Sequence, residues 1–136
     1  MADKTALVID DSKVYQNILT NRLEEKGYVV HSAYNGEEGL EKYKSVRPYI
    51  TFLDIVMPKI SGLDLLKDLR SHYSDSKIII STSLTSIKIV REAKQMGADW
   101  FILKPYNDEQ IDNVLKRFEE NWNRTILSNC YDKLIE

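Results

Sequence analysis

A single cysteine, Cys130, leaves no partner for an internal disulfide, so nothing in the chain calls for an oxidising compartment. On a helix such a thiol serves as a small apolar side chain rather than as a reactive group. No apolar stretch approaches the roughly 20 residues of a membrane-spanning helix. Residues Met1 to Thr5 lead directly into a short apolar run, without the basic and apolar regions of a secretory leader. Positive charge is not in excess either: 19 Lys and Arg stand against 21 Asp and Glu, for a formal net charge of −2. Bulk electrostatic attraction to nucleic acid is thereby excluded, and no long basic run restores it. Repeats, low-complexity tracts and Gly/Ser-rich linkers are missing as well. These absences leave a soluble, cytoplasmic protein with no direct contact to nucleic acid or membrane as the expectation.

What the 136 residues do contain suits one domain with a single core. Hydrophobic residues make up 43% and charged residues 29%, an ordinary globular balance that excludes a disordered or fibrous chain. Five short apolar runs alternate with helical patterns, the mark of βαβ units and a parallel sheet. Ala6 to Ile9, Tyr49 to Leu53, Lys77 to Ile80 and Trp100 to Leu103 are almost continuously apolar or β-prone, as strands covered on both faces should be. The more polar run from Tyr28 to Ala33 suits an edge.

Helices are expected between the strands. Ile18, Leu19 and Leu23 predict one over about Ser12 to Lys26, with Gly27 as its left-handed stop. Asn35-Gly36 opens a second through Leu40, Tyr43 and Lys44, and Pro48 prevents it from continuing far. Leu63, Leu66 and Leu69 mark a third after Gly62, and Ile87, Val90, Ala93 and Met96 a fourth that Gly97 ends. A fifth begins near Asp108 and carries Ile111, Val114, Leu115, Phe118 and Trp122.

Reactive groups collect at the carboxyl ends of these strands, where ligands bind in open α/β sheets. Asp54 lies where Phe52-Leu53 gives way to Met57-Pro58, Asp10-Asp11 follows the first strand, and Lys104-Pro105 follows the fifth. Taken singly, Asp10 or Asp11 would be a helix cap or turn former. Three acids in one dry pocket would repel one another, and a hard cation such as Mg²⁺ resolves the conflict. Asp11 and Asp54 are assigned as direct ligands, the backbone carbonyl of Val56 as a third, and Asp10 as a direct or water-bridged one. Asp54 can also serve as a nucleophile towards a phosphoryl group, with Lys104 supplying fixed positive charge. Thr82 offers a hydroxyl after the fourth strand, or serves only as a cap or strand terminus.

Together these residues resemble the response-regulator receiver domain of two-component signalling, in particular the single-domain chemotaxis-type regulators. The resemblance rests on Asp10-Asp11, Asp54 followed by Met57-Pro58 and Ser61-Gly62, Thr82, Gly97-Ala98 and Lys104-Pro105. It covers residues 1–120, with 121–136 as an extension of the last helix or the start of an interdomain linker. It implies a doubly wound five-stranded parallel sheet of flavodoxin-like order 2-1-3-4-5, with helices on both faces. It further implies Asp54 as phosphoacceptor, Asp10 and Asp11 as metal acids, Thr82 and Phe101 as switch residues, Lys104 as the phosphate-bonding amine, and a cis Lys104-Pro105 bond. The implied cofactor is Mg²⁺. The implied partners are a sensor histidine kinase or phosphotransfer protein, and a downstream target or an output domain. The implied output face, helix 4, strand 5 and helix 5, is also where receivers form homodimers.

Two other readings compete with this one. A Mg²⁺-dependent phosphohydrolase with an aspartyl intermediate would place a second acid two residues after its nucleophile, where this chain has Val56. A receiver-like binding module that has lost phosphorylation would not need all of the acids, Thr82 and Lys104. Val56 and Leu84, two residues beyond Asp54 and Thr82, offer no group to orient a hydrolytic water, so slow loss of phosphate is expected. In the tail, Trp122, Ile126, Cys130 and Leu134 recur every four residues, as in a partner-binding helix, although Asn123, Thr125, Ser128 and Asn129 form helices poorly.

Overall fold

The computed structural model describes residues 4–57, 61–72, 75–83 and 87–119. The chain divides into two units, 1–105 and 106–136. In the first, the order is β1 (Thr5–Ile9), α1 (Lys13–Glu25), β2 (Val29–Ala33), α2 (Gly36–Val46), β3 (Ile50–Asp54), α3 (Gly62–His72), β4 (Lys77–Thr82), α4 (Ile87–Gln95) and β5 (Trp100–Leu103). All five strands run parallel in the order β2-β1-β3-β4-β5. This is the doubly wound, flavodoxin-like sheet. No helix among the described residues is long and apolar enough to cross a membrane.

Side chains alternate across a strand, and the sheet uses both sides. Leu7, Ile9, Leu53, Ile78 and Ile80 join Tyr43 of α2, Leu65, Leu66 and Leu69 of α3, and Ala93 of α4 in one buried cluster. Ala6, Val8 and Phe52 alternate with them and are equally buried, on the side where α1 packs on β1 and β2 with Leu19 and Leu23. Each Leu, Ile, Val or Phe side chain so withdrawn from water is worth about 1.5–3 kcal/mol before the entropy of ordering it. β3, central in the sheet, is buried along its whole length.

Local chemistry sets the helix ends. Asn35 caps α2 by accepting from Glu38 N–H at 2.8 Å. Gly27, at φ +91°, turns the chain out of α1. In the second unit, residues 108–119 form α5. A reciprocal capping box opens it: Gln110 N–H donates to Asn107 Oδ1 at 3.0 Å and Asn107 N–H to Gln110 Oε1 at 2.9 Å. Ile111, Val114 and Leu115 are its buried positions.

Two expectations need correction. β4 runs on through Ser81 and Thr82, which are buried polar residues paired with β5, so Thr82 belongs to the strand instead of following it. β5, the second edge of the sheet, is less buried than the other apolar strands, with Trp100 and Leu103 each 38% exposed. Pro58, Leu84 and the stripe from Trp122 to Leu134 lie outside the described residues.

Candidate functional site

Four strand ends meet at one edge of the sheet. Asp10 follows β1, Asp54 closes β3, Thr82 closes β4 and Lys104 follows β5. Register sets them level, since Asp54 pairs with Ser81 and Thr82 with Leu103. Carboxylate oxygens of Asp10, Asp11 and Asp54 all lie within 4.8 Å of one another. Asp10 and Asp54 are buried while Asp11 is exposed, so the cluster is open to solvent on the Asp11 side.

Directed contacts fix the two buried acids. Ser12 N–H donates to Asp10 Oδ1 at 2.8 Å, and Val56 N–H donates to Asp54 Oδ1 at 2.9 Å. Lys104 Nζ donates to Asp54 Oδ2 at 3.1 Å and stands 2.8 Å from Asp10 Oδ2 as an ion pair. The Lys104-Pro105 peptide is cis, as expected. Thr82 is fully buried. Phe101 is half-buried, packs against the α2–α4 side of the core and stacks on Trp100 with ring centroids 5.7 Å apart. Val56 exposes its side chain.

Electrostatics follow from this crowding. Burial pushes the Asp54 carboxyl above the usual aspartate range, against the Val56 N–H and the Lys104 charge, which favour the ionised form. Burial would lower the Lys104 ammonium, yet the adjoining carboxylates of Asp10 and Asp54 outweigh it and hold the group above the ordinary lysine value. One ammonium balances one of three acids. Asp10 Oδ2 is buried and, although it faces that ammonium, receives no directed hydrogen bond. Surplus negative charge on oxygen donors is what a hard divalent cation takes, so the residues fit Mg²⁺.

Residues 6–116 match the response regulator receiver domain. The chain belongs to this family. Over 115 residues it is 33% identical to the chemotaxis protein CheY of Thermotoga maritima, covering 84% of this chain and 96% of that one. A response regulator protein from Burkholderia pseudomallei, solved with a phosphorylated aspartic acid, calcium ion and citrate, is 32% identical with a TM-score of 0.78, over 91% of this chain and 74% of that one. The CheX-CheY-BeF3-Mg complex from Borrelia burgdorferi matches at 27% identity and a TM-score of 0.80, over 84% of this chain and 87% of that one. Other curated relatives are longer, the chain spanning 55% of one and 24% of another. The acidic pocket of this receiver is thus the acid triad at the strand ends.

Two contributors to the receiver site, Gln16 and Tyr15, were not anticipated, and Gly62 of the motif gains its physical reason. Gln16 lies fully buried in α1 and its Nε2 donates to Val8 O at 3.0 Å, Asp10 O at 3.0 Å and Ala33 O at 2.8 Å, joining the ends of β1 and β2. Its position, one turn before Leu19 and two before Leu23, was the available signal: a polar residue on an apolar stripe. Tyr15 places its ring 4.3 Å from Lys104 Nζ. Gly62 closes α3 over the end of β3 so tightly that a Cβ there would lie 2.1 Å from Ile55 Cα.

Proposed function

We propose that this receiver domain is a phosphorylation-controlled signalling module in which Asp54 accepts a phosphoryl group from the phosphohistidine of a sensor kinase or phosphotransfer protein. A carboxylate oxygen of Asp54 forms the new O–P bond as the N–P bond breaks, and the donor imidazole departs with a proton from solvent. Asp11, Asp54 and the Val56 carbonyl would hold Mg²⁺, with Asp10 bound directly or through water. The cation, when bound, neutralises the oxygens of the group in transit. Lys104 supplies the fixed charge beside it, and the Thr82 hydroxyl bonds a phosphoryl oxygen. Movement of Thr82 towards that oxygen frees room for Phe101 to turn inward and alters the surface of α4 and β5, where a downstream target or an output domain would read the change. A cytoplasmic setting suits this exchange.

The observation that carries the proposal is the convergence of three acids at the strand ends, the two buried ones, Asp10 and Asp54, sharing one lysine. A hydrolase would require an acid or base beside Asp54, and the nearest such position holds the exposed, apolar Val56. Intact-mass measurement after incubation with acetyl phosphate and Mg²⁺ tests the assignment. Wild type should gain one phosphoryl group and Asp54→Asn none, and equal gain by both would refute it.

A further inference from the structure

Lys104 is held on three sides, and only two of them are acids. The third is the Tyr15 ring, whose centroid lies 4.3 Å from Nζ, well inside the roughly 6 Å over which an aromatic face attracts an ammonium. Tyr15 stands in the first turn of α1, next to Gln16, whose amide ties that turn to the carbonyls of Val8, Asp10 and Ala33. The ring is therefore mounted on a turn that is fastened to the sheet. A lysine side chain is a point charge on a flexible four-carbon stem and loses much rotamer freedom when it is placed. With Asp10 and Asp54 on two sides and the ring on the third, that freedom is already removed before any phosphoryl group arrives.

We propose that Tyr15 is a positioning residue for phosphorylation, its ring holding the Lys104 ammonium beside Asp54 so that the charge is in place when the phosphoryl group transfers. This rests on the receiver reading of Asp54 given above. The ring acts through Lys104. A double-substitution cycle therefore isolates its effect.

The test measures phosphorylation of the full chain by acetyl phosphate at saturating Mg²⁺ in wild type, Tyr15→Leu, Tyr15→Phe, Lys104→Met and the Tyr15→Leu, Lys104→Met pair. Tyr15→Leu should slow the reaction about threefold to tenfold, or roughly 0.7–1.4 kcal/mol at 1.36 kcal/mol per decade. Tyr15→Phe, which keeps the aromatic face, should restore most of the loss, and in the Lys104→Met background the leucine should cost nothing further. A metal-free measurement accompanies these rates: the ring should shift the Lys104 ε-methylene proton resonances upfield in wild type and Tyr15→Phe, and that shift should vanish in Tyr15→Leu. A leucine variant as fast as wild type, an equal slowing in both backgrounds, or an unshifted methylene in wild type overturns the role of Tyr15. Asp54→Asn, run alongside, separates the two failures. If wild type gains no more phosphate than Asp54→Asn, the proposed phosphorylation of Asp54 falls and this inference with it.

Discussion

Lys104 stands between Asp10 and Asp54, 2.8 Å from an oxygen of the first and 3.1 Å from an oxygen of the second. A single ammonium shared by two buried acids, with Asp11 at the rim, leaves the metal-free site short of positive charge. Such a site is held together by the rest of the fold and destabilises it locally, as functional sites commonly do.

Removing one acid should therefore stabilise the metal-free protein. Asp54→Asn in the presence of a chelator is expected to raise the unfolding free energy at neutral pH, because it removes a carboxylate whose ionised form burial disfavours. The sign with pH follows from the raised carboxyl. Because folding lifts Asp54 above its ordinary value, the folded state binds the proton more readily, and the penalty is full above the folded pKa. It fades as pH falls through that value and is gone below the usual aspartate range. Denaturant titrations of both proteins across the acid range should show the gap closing as pH drops, and a gap that widens would contradict the account.

Gln16 joins the ends of β1 and β2 through one amide nitrogen. Gln16→Leu fills much of the same volume but removes the amide that Val8 O, Asp10 O and Ala33 O share, of which Ala33 O keeps the Asp10 N–H at 3.0 Å, and the loss should cost about 2 kcal/mol. Urea denaturation measures the loss, and amide exchange should report it first at Ser12, the residue that clamps Asp10.

Gly62 has backbone on the side where a Cβ would sit. Gly62→Ala must displace Ile55 or the start of α3, at the upper end of the usual overpacking cost, about 3 kcal/mol. Because Ile55 lies between Asp54 and Val56, the substitution should also weaken Mg²⁺ binding, which calorimetric titration of the two proteins would show. Unchanged stability would mean that α3 yields without strain.

Val56 follows Asp54 by two residues and is 49% exposed. An apolar side chain there cannot orient a water towards a phosphoryl group on Asp54. Val56→Asn should hasten loss of phosphate, by no more than about 10²-fold if the amide acts as a water-orienting group. The decay of phosphorylated protein, followed by phosphate-affinity electrophoresis, would place this change. Decay at the wild-type rate would set aside this role for the side chain.

Strand positions were legible because near-continuous apolar runs ended in acids, prolines and glycines, and Asp54, Asp10 and Lys104 could be placed at strand ends from that pattern alone. The fourth strand was ended two residues too early, at Ile80, because Ser81 and Thr82 are polar. In the folded sheet, pairing with β5 extends the strand through them. The exposure of Trp100 and Leu103 was hidden for a different reason: the order 2-1-3-4-5 already put the fifth strand at an edge, but its apolar content reads like that of a strand buried throughout. Tyr15 and Lys104 come from opposite ends of the unit, so their contact exists only once β1 and β5 share the sheet. Gln16 left a weak trace as a polar residue on the buried face of α1, whereas its three carbonyl partners belong to tertiary structure.

The central claim, that Asp54 is the group phosphorylated, is tested most directly by locating the modification. Protein treated with acetyl phosphate would be reduced with borohydride, which converts an aspartyl phosphate to homoserine, and then digested for tandem mass spectrometry. Homoserine at position 54, formed with Mg²⁺ and lost with chelator, is the predicted result. Homoserine at Asp10, Asp11 or another acid, or labelling that ignores Mg²⁺, would contradict it.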